Sequence, residues 1–376
     1  MIMKKWIFIS SCMMILSQFC LAGSKTETAQ EALKNMKVGL NLNNSLDEHY
    51  KKGDRNDPST FETQTGRPVT TAAIIQSWAD AGFGVVRVPV TWYPHMDPQT
   101  GKVDEVWMNR VEEVVNYVLD AGMYCILNVH HDAGSKDTRW IIADMEEYPQ
   151  ISTRFVNLWK QIAGRFKKYD DRLLFEGYNE ILDKRKSWSR ARVDGAYEAA
   201  NRLNQDFVKT VRSTGGKNKT RNLVVSTYAT SVMPKALDAF VLPDDKSAGH
   251  LIVQVHCYRP GEFTERDVNL AKQGKESRSD FRESDKEEID VVFNNLNRHL
   301  LSKGYPCILG EFGAWNKNNE DDRARHAEYF VMKCCESGIL PIYWYNPMYR
   351  FDRATCTWTF PKLRDALINT ANKYTK

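Results

Sequence analysis

Beyond residue 22 this 376-residue chain has no apolar run approaching the ~20 residues of a spanning helix. No helical membrane segment is therefore expected downstream of the N-terminus. It also lacks a Pro/Ser-rich linker, a low-complexity tract and a glycine-rich phosphate loop after its first strand-like run. The eight cysteines follow no zinc-binding spacing. Lys and Arg number 52 against 48 Asp and Glu, a formal charge of +4 with no basic stripe, so nucleic acid is not expected as a partner. What the chain does have is aromatic side chains: ten Trp and sixteen Tyr are more than packing alone tends to require. A ligand with flat apolar faces is worth considering.

The first residues read as an export signal. Lys4 and Lys5 precede a short apolar stretch from Trp6 to Leu16, and Cys20-Leu21-Ala22 offers a cleavage site before Gly23. Residues 1–22 are thus expected to be a signal peptide, 23–37 a leader, and 38–376 one domain, secreted to the periplasm or the extracellular space. Phe19 occupies the position where a lipoprotein signal requires a small residue. An uncleaved anchor is the other reading of the segment; after cleavage no membrane association is expected. Export permits disulfides. However, Cys125, Cys257 and Cys307 sit in strand-like runs, and buried free thiols are favoured over a disulfide framework for the six cysteines beyond the signal.

Short β-rich runs alternate with amphipathic ones. The strand candidates are Val38–Asn44, Val85–Val90, Tyr124–His130, Leu173–Glu180, Asn222–Tyr228, Leu251–Tyr258, Pro306–Phe312 and Leu340–Asn346. Between them, sets such as Val111, Val114, Val115, Val118 and Leu119 recur at helical spacing. Gly82, Gly122, Gly304 and Gly338 stand where helices should end. Eight such repeats without an internal linker predict an α/β fold, a single-domain (β/α)8 TIM barrel. A doubly wound open sheet is the alternative. The polar stretch Glu262–Asp285 is expected to be a long loop or a partly disordered insert.

In such a barrel, chemistry belongs at the C-terminal strand ends. Those positions hold Asn41, Asn43 and Asn44, then Arg87, then Asn128, His130, His131 and Asp132, then Asn179 and Glu180, then His256 and Tyr258, then Glu311, and finally Trp344 and Asn346. A single Glu at a strand end usually marks only the chain's return to water. Two Glu, an Arg and three His on one face suggest acid/base or nucleophilic work: burial and like charge keep a proton on one carboxyl, while Arg and a hydroxyl hold the other ionised. Asn179 points away from Glu180 on an ideal strand and needs a bend to join the site.

The segments LLFEGYNE (Leu173–Glu180), ILGEFG (Ile308–Gly313), RVPVTW (Arg87–Trp92), NVHHD (Asn128–Asp132) and VHCY (Val255–Tyr258) resemble glycoside hydrolase family 5, the family A cellulases, in order and spacing. The resemblance runs from about Val38 to Ile368, and within the family it is greatest to secreted bacterial endoglucanases. It implies a retaining endo-β-1,4-glycanase of the cellulase type, acting by double displacement with Glu180 as acid/base and Glu311 as nucleophile, carboxyls ~5–5.5 Å apart. It further implies that Arg87 and Tyr258 position the nucleophile and that His130, His131 and His256 line the pocket. Asn179 would bind the sugar 2-hydroxyl and Trp344 would lie under the sugar. Xyloglucan, lichenan or mannan are alternative substrates for the same mechanism. No cofactor or metal is expected, and the enzyme should act as a monomer on its β-glucan.

Three motifs depart from the family pattern. Leu40 and Asn43 stand where Trp and Gly are usual, Ile181 follows Glu180 in place of Pro, and Tyr345-Asn346 follows Trp344 in an altered motif. Asn44 and Trp140 are added as sugar-contact candidates. Trp92 and Trp315 also follow strands and could line a cleft, whereas Trp78, Trp107 and Trp159 lie in helical patterns and should be core. Trp188 carries no preference. Two rivals remain. A metal-dependent barrel hydrolase could use His130, His131 and His256, although adjacent His on a strand face opposite ways. A non-catalytic glycan-binding protein could keep the cleft without the reaction.

Overall fold

A computed structural model describes residues 26–49, 53–344 and 351–374. The proposed signal, Tyr345 and Asn346 therefore lie outside the described residues. Eight parallel strands close in sequence order into a barrel. They are β1 (Gly39–Asn41), β2 (Val85–Val88), β3 (Tyr124–Asn128), β4 (Leu173–Glu176), β5 (Leu223–Ser231), β6 (Leu251–Cys257), β7 (Cys307–Phe312) and β8 (Leu340–Tyr343). Helices follow the strands. The long ones span Glu105–Asp120, Tyr148–Arg165, Ala196–Ser213, Glu283–His299, Glu320–Glu336 and Pro361–Tyr374. Gly82, Gly122, Gly304 and Gly338 all take positive φ where helices hand over to strands.

The two-residue period of the strands sorts the barrel into layers. Residues pointing outward, such as Val86 and Val88, Cys125 and Leu127, or Leu173 and Phe175, join the helices in one large apolar core. Pointing inward near the bottom are Val85, Ile126, Leu174, Val224, Ile252 and Ile308, a second apolar cluster. Two residues further along, the same strands turn Arg87, Asn128, Glu176, Ser226 and Gln254 inward, all buried. The barrel interior thus changes from hydrocarbon to polar over one step of the pleat, and the polar layer is the floor of the site.

The N-terminal mouth is closed by a helix, α1 (Ala29–Met36), from the segment expected as a leader. Ala29, Ala32, Leu33 and Met36 pack onto the lower interior layer. Thr28 and Glu31 form a capping box at its start, and the Ala29 amide donates to the Gly249 carbonyl at 2.8 Å. The polar residues before Ala29 masked an eight-residue amphipathic run too short to stand out from sequence alone. Glu262–Asp285 is likewise more ordered than expected. It contains two short helices, Gly261–Thr264 and Asp267–Lys272, and the Lys317 ammonium ties the segment to the barrel by donating to the Glu262 and Arg278 carbonyls at 3.0 and 3.1 Å.

The described strands are mostly shorter than expected because their polar ends leave the sheet. β4 stops at Glu176, four residues before the expected end. Pairing is irregular at the upper ends of β5 through β8, between Ser226 and Ser231, Val255 and His256, and Leu309 and Phe312. Ala229 and Thr230 hold positive φ there. Such irregularities re-aim side chains, and these sit beside His256 and Glu311, which face each other across the β6–β7 pairing. The six described cysteines are free thiols, four of them buried.

Candidate active site

Arg87 is the hub. Its guanidinium is fully buried and binds two carboxylates and two amides at once. Nε and Nη2 donate to the two oxygens of Glu176, each at 2.6 Å, and Nη1 donates to Glu311 Oε1 at 2.8 Å. The remaining donors reach Asn41 Oδ1 and Asn179 Oδ1, both at 2.9 Å. Five donors in a rigid plane suit this fork, and Lys could not replace it. Asn41 is itself fixed, donating to the Gly310 carbonyl at 2.9 Å. Asn128 and Gln254 donate to Glu176 Oε1 at 3.0 and 2.9 Å.

Above this floor stand Glu180 and Glu311. The chain leaves β4 after Glu176, and this bend lets Asn179 and Glu180 face the same side. One oxygen of each Glu and a His256 ring nitrogen all lie within 4.8 Å of one another. His256 Nδ1 is 2.9 Å from Glu180 Oε1 and 3.6 Å from Glu311 Oε2. Tyr258 donates its hydroxyl to Glu311 Oε2 at 2.9 Å. Glu311 therefore accepts from a guanidinium and a phenol, whereas Glu180 has no cation bonded to it.

These surroundings separate the two carboxyls. Burial pushes Glu180 up to about 7, Arg87 opposing and the negative Glu176 adding. Burial raises Glu311 too, but His256, Arg87 and the Tyr258 hydroxyl pull it back while Glu180 pushes it up. With the guanidinium and the phenol both on Glu311, and only the Asn179 amide and the neutral His256 beside Glu180, the pair's proton belongs on Glu180 and its negative charge on Glu311. Burial pushes His256 down to about 4, leaving it neutral, and pushes the Tyr258 hydroxyl well up, so it stays a donor. Glu176 behaves oppositely: burial disfavours its charge, yet Arg87 and the amide donors hold it below the usual carboxylate value.

His130 and His131 follow the end of β3, so strand alternation does not govern them. Their rings lie 4.5 Å apart on the same side, correcting the expectation that they face opposite ways. His130 stacks on Trp344 at 5.7 Å with the planes 8° from parallel. Asp47, pushed up to about 7 by burial beside Glu48, has Oδ2 3.8 Å from His131 Nε2. Asp47, His130 and His131 are close enough to offer three ligands to an ion, as are Glu180, His256 and Glu311.

The remaining candidates divide. Asn44 turns to Glu48, donating to Oε1 at 2.7 Å, and it is Asn41, inside the strand, that reaches Arg87. Trp92 is fully buried with its indole donating to the Asn128 carbonyl at 3.0 Å, so it is core and not a cleft wall. Trp140 is half-buried, donates to Asp132 at 2.7 Å and has the Arg154 guanidinium over its ring. Arg266 lies over Trp315. Trp78, Trp107 and Trp159 are core, as their helical positions require. Trp188, 46% exposed, lines a cleft of about 310 Å³ with Glu180, Met233, His256 and Tyr258. Sequence reasoning passed over Glu176 and Gln254, and it named Asn41 at a strand end without a role. The one available signal was a charged or amide residue in phase with inward apolar ones, two positions on.

Gly310 shows how tightly this floor is built. A methyl group there would come within 2.4 Å of Gln254 Oε1. Gly310→Ala is expected to displace Gln254 from Glu176 and destabilise the barrel by about 1–3 kcal/mol, measurable as a lower urea midpoint.

The model for "Cellulase (glycosyl hydrolase family 5)" matches residues 47–349. Endoglucanase A of Ruminococcus albus is 36% identical over 92% of this chain and 93% of its own length. Cellulase/esterase CelE of Acetivibrio thermocellus is 37% identical over 94% of this chain, which spans 42% of that protein. Among solved structures, a glycoside hydrolase family 5 enzyme from Prevotella bryantii B14 superposes with a TM-score of 0.84 at 36% identity, covering 93% of this chain and 99% of that one. A mutant of the same enzyme is known in complex with the xyloglucan tetradecasaccharide XXXGXXXG.

Proposed function

The chain belongs to glycosyl hydrolase family 5, and from that premise we propose that Glu311 is the nucleophile and Glu180 the acid/base of a retaining endo-β-1,4-glucanase. The observation that carries this reading is the unequal setting of the two carboxyls at close range. Oxygens within 4.8 Å leave no room for the water that inversion places between acid and base, where separations run to about 6.5–9.5 Å. In the first step Glu311, held ionised by Arg87 and Tyr258, attacks the anomeric carbon while the protonated Glu180 gives its proton to the leaving glycosidic oxygen. The sugar is then an ester of Glu311. Glu180, now a carboxylate, takes a proton from water, which attacks the same carbon and releases the sugar with its original configuration.

Asn179, fixed by Arg87, is placed to bind the sugar hydroxyl next to the reacting carbon. Trp344, backed by His130, offers a flat face beneath the sugar, and Trp188 offers one further along the cleft. The substrate we propose is a β-1,4-glucan backbone of the plant cell wall, with xyloglucan included because the cleft is open beside Trp188. Export through cleavage after Ala22, and action as a monomer, belong to the same proposal; among the described residues no helix is long and apolar enough to cross a membrane.

Incubation with carboxymethylcellulose, lichenan, xyloglucan and glucomannan, with product sizing and NMR of the first anomer released, tests the reading. Expected are oligosaccharides from within the chain, first formed as the β-anomer and unaffected by EDTA. An α-anomer would overturn the mechanism. Loss of activity with chelator and its return with zinc would favour the Asp47–His130–His131 ligands instead.

A further inference from the structure

Glu176 lies one layer below the reacting carboxyls. It is fully buried, and each partner it has is a donor: both outer edges of the Arg87 guanidinium, Asn128 and Gln254. A protonated carboxyl would turn its O–H toward donors, so the site is built for the ionised form. One guanidinium consequently serves two carboxylates, Glu176 by two hydrogen bonds and Glu311 by one.

We propose that Glu176 is a positioning residue that does two things: it aims the guanidinium of Arg87 at Glu311, and its negative charge offsets much of Arg87's, so that the Glu180–Glu311 pair keeps one proton at the working pH. The aim follows from geometry. With Nε and Nη2 clamped on Glu176, the guanidinium plane cannot rotate, and Nη1 is left directed at Glu311 and Asn41. The charge argument follows from counting. Arg87 alone beside Glu180 and Glu311 would favour losing both protons; with Glu176 ionised, the three carboxyls share one fixed cation, and a proton on the pair relieves like-charge repulsion. The other groups facing Glu180 do not supply that balance. Arg87 from β2 favours ionisation, Glu311 from β7 opposes it, and His256 and Tyr258 from β6 are neutral. His130, beyond β3, is pushed well down by burial and is neutral too.

This rests on the reading of Glu180 as the acid, and the test separates the two. The wild-type profile of kcat/KM against pH should have an alkaline limb set by loss of the Glu180 proton. Glu176→Gln is expected to move that limb down by on the order of one pH unit, because the acid loses the anion that helped it hold its proton. Absence of an alkaline limb in the wild type that Glu180→Gln removes would sink the acid assignment itself. A wild-type limb unmoved in folded Glu176→Gln, judged by circular dichroism and a cooperative melt, would overturn the charge role and leave a strut. Should Glu176→Gln not fold, Glu176→Asp decides. It keeps the charge but draws Arg87 back, so kcat should fall at least tenfold with the limb within a few tenths of its wild-type position. A limb displaced by more than half a unit, or an unchanged kcat, would overturn the proposal.

Discussion

Glu311→Ala is expected to lower kcat/KM on polysaccharide by on the order of 10⁴-fold or more, since the alternative to covalent attack is direct displacement by water with no group placed to activate it. The loss should be reversed in part by azide. Removing the carboxylate opens a small anion-sized space beside Arg87 and Tyr258, each of which has lost its hydrogen bond to Glu311. Azide entering there attacks the anomeric carbon from the nucleophile's side, Glu180 still protonates the leaving oxygen, and the product is the α-glycosyl azide. The complementary change, Glu180→Ala, should leave activity on aryl glycosides with good leaving groups, and azide should then give the β-glycosyl azide. The two variants must therefore yield opposite anomers, read by NMR. The same anomer from both, or wild-type rates on cellulose from either, is incompatible with the roles assigned.

That both glutamates could be named from sequence has a physical reason. An apolar strand that ends in a charge makes a visible contrast, and a closed parallel barrel puts all its strand ends on one face. His256, Tyr258 and Glu311 were legible for this cause, whereas Arg87 stood out as a lone charge within the apolar run of β2. Glu176 was not, because it belongs to the strand and reads as one more member of the run Leu173–Glu180; its inward direction needs the phase of the pleat, fixed only by pairing with β3 and β5. Trp92 erred the other way. It follows a strand end, yet the turn after β2 folds it back against the Asn128 carbonyl and Asp132 takes its amide. Helix α1 was missed because the residues it covers are the barrel's lower layer, an interior surface that exists only once all eight strands have closed.

Arg87→Met is expected to show how much of the fold depends on the same centre. Removing the cation leaves Glu176 and Glu311 buried without their counter-charge, the situation in which breaking a buried ion pair costs about 3–5 kcal/mol. At about 2–4 °C per kcal/mol for a chain of this size class, Tm at neutral pH should drop by roughly 10 °C. The sign of the pH dependence separates this from lost packing. Without Arg87 the folded-state pKa of Glu176 rises from below to above the unfolded value of about 4.3, and that of Glu311, already raised by burial, rises further. The unfolded chain then holds fewer protons than the folded one, and the variant loses stability as pH rises through that window. The Tm gap to wild type should shrink as pH falls below the unfolded value, where the variant's carboxyls and those of the unfolded chain become protonated and wild-type Glu176 loses the advantage of its depressed pKa, and should widen steadily toward pH 7. Differential scanning calorimetry across that range makes the comparison. A gap independent of pH would mean that methionine merely fits badly, and that Arg87 does not hold these two carboxylates in their charged form.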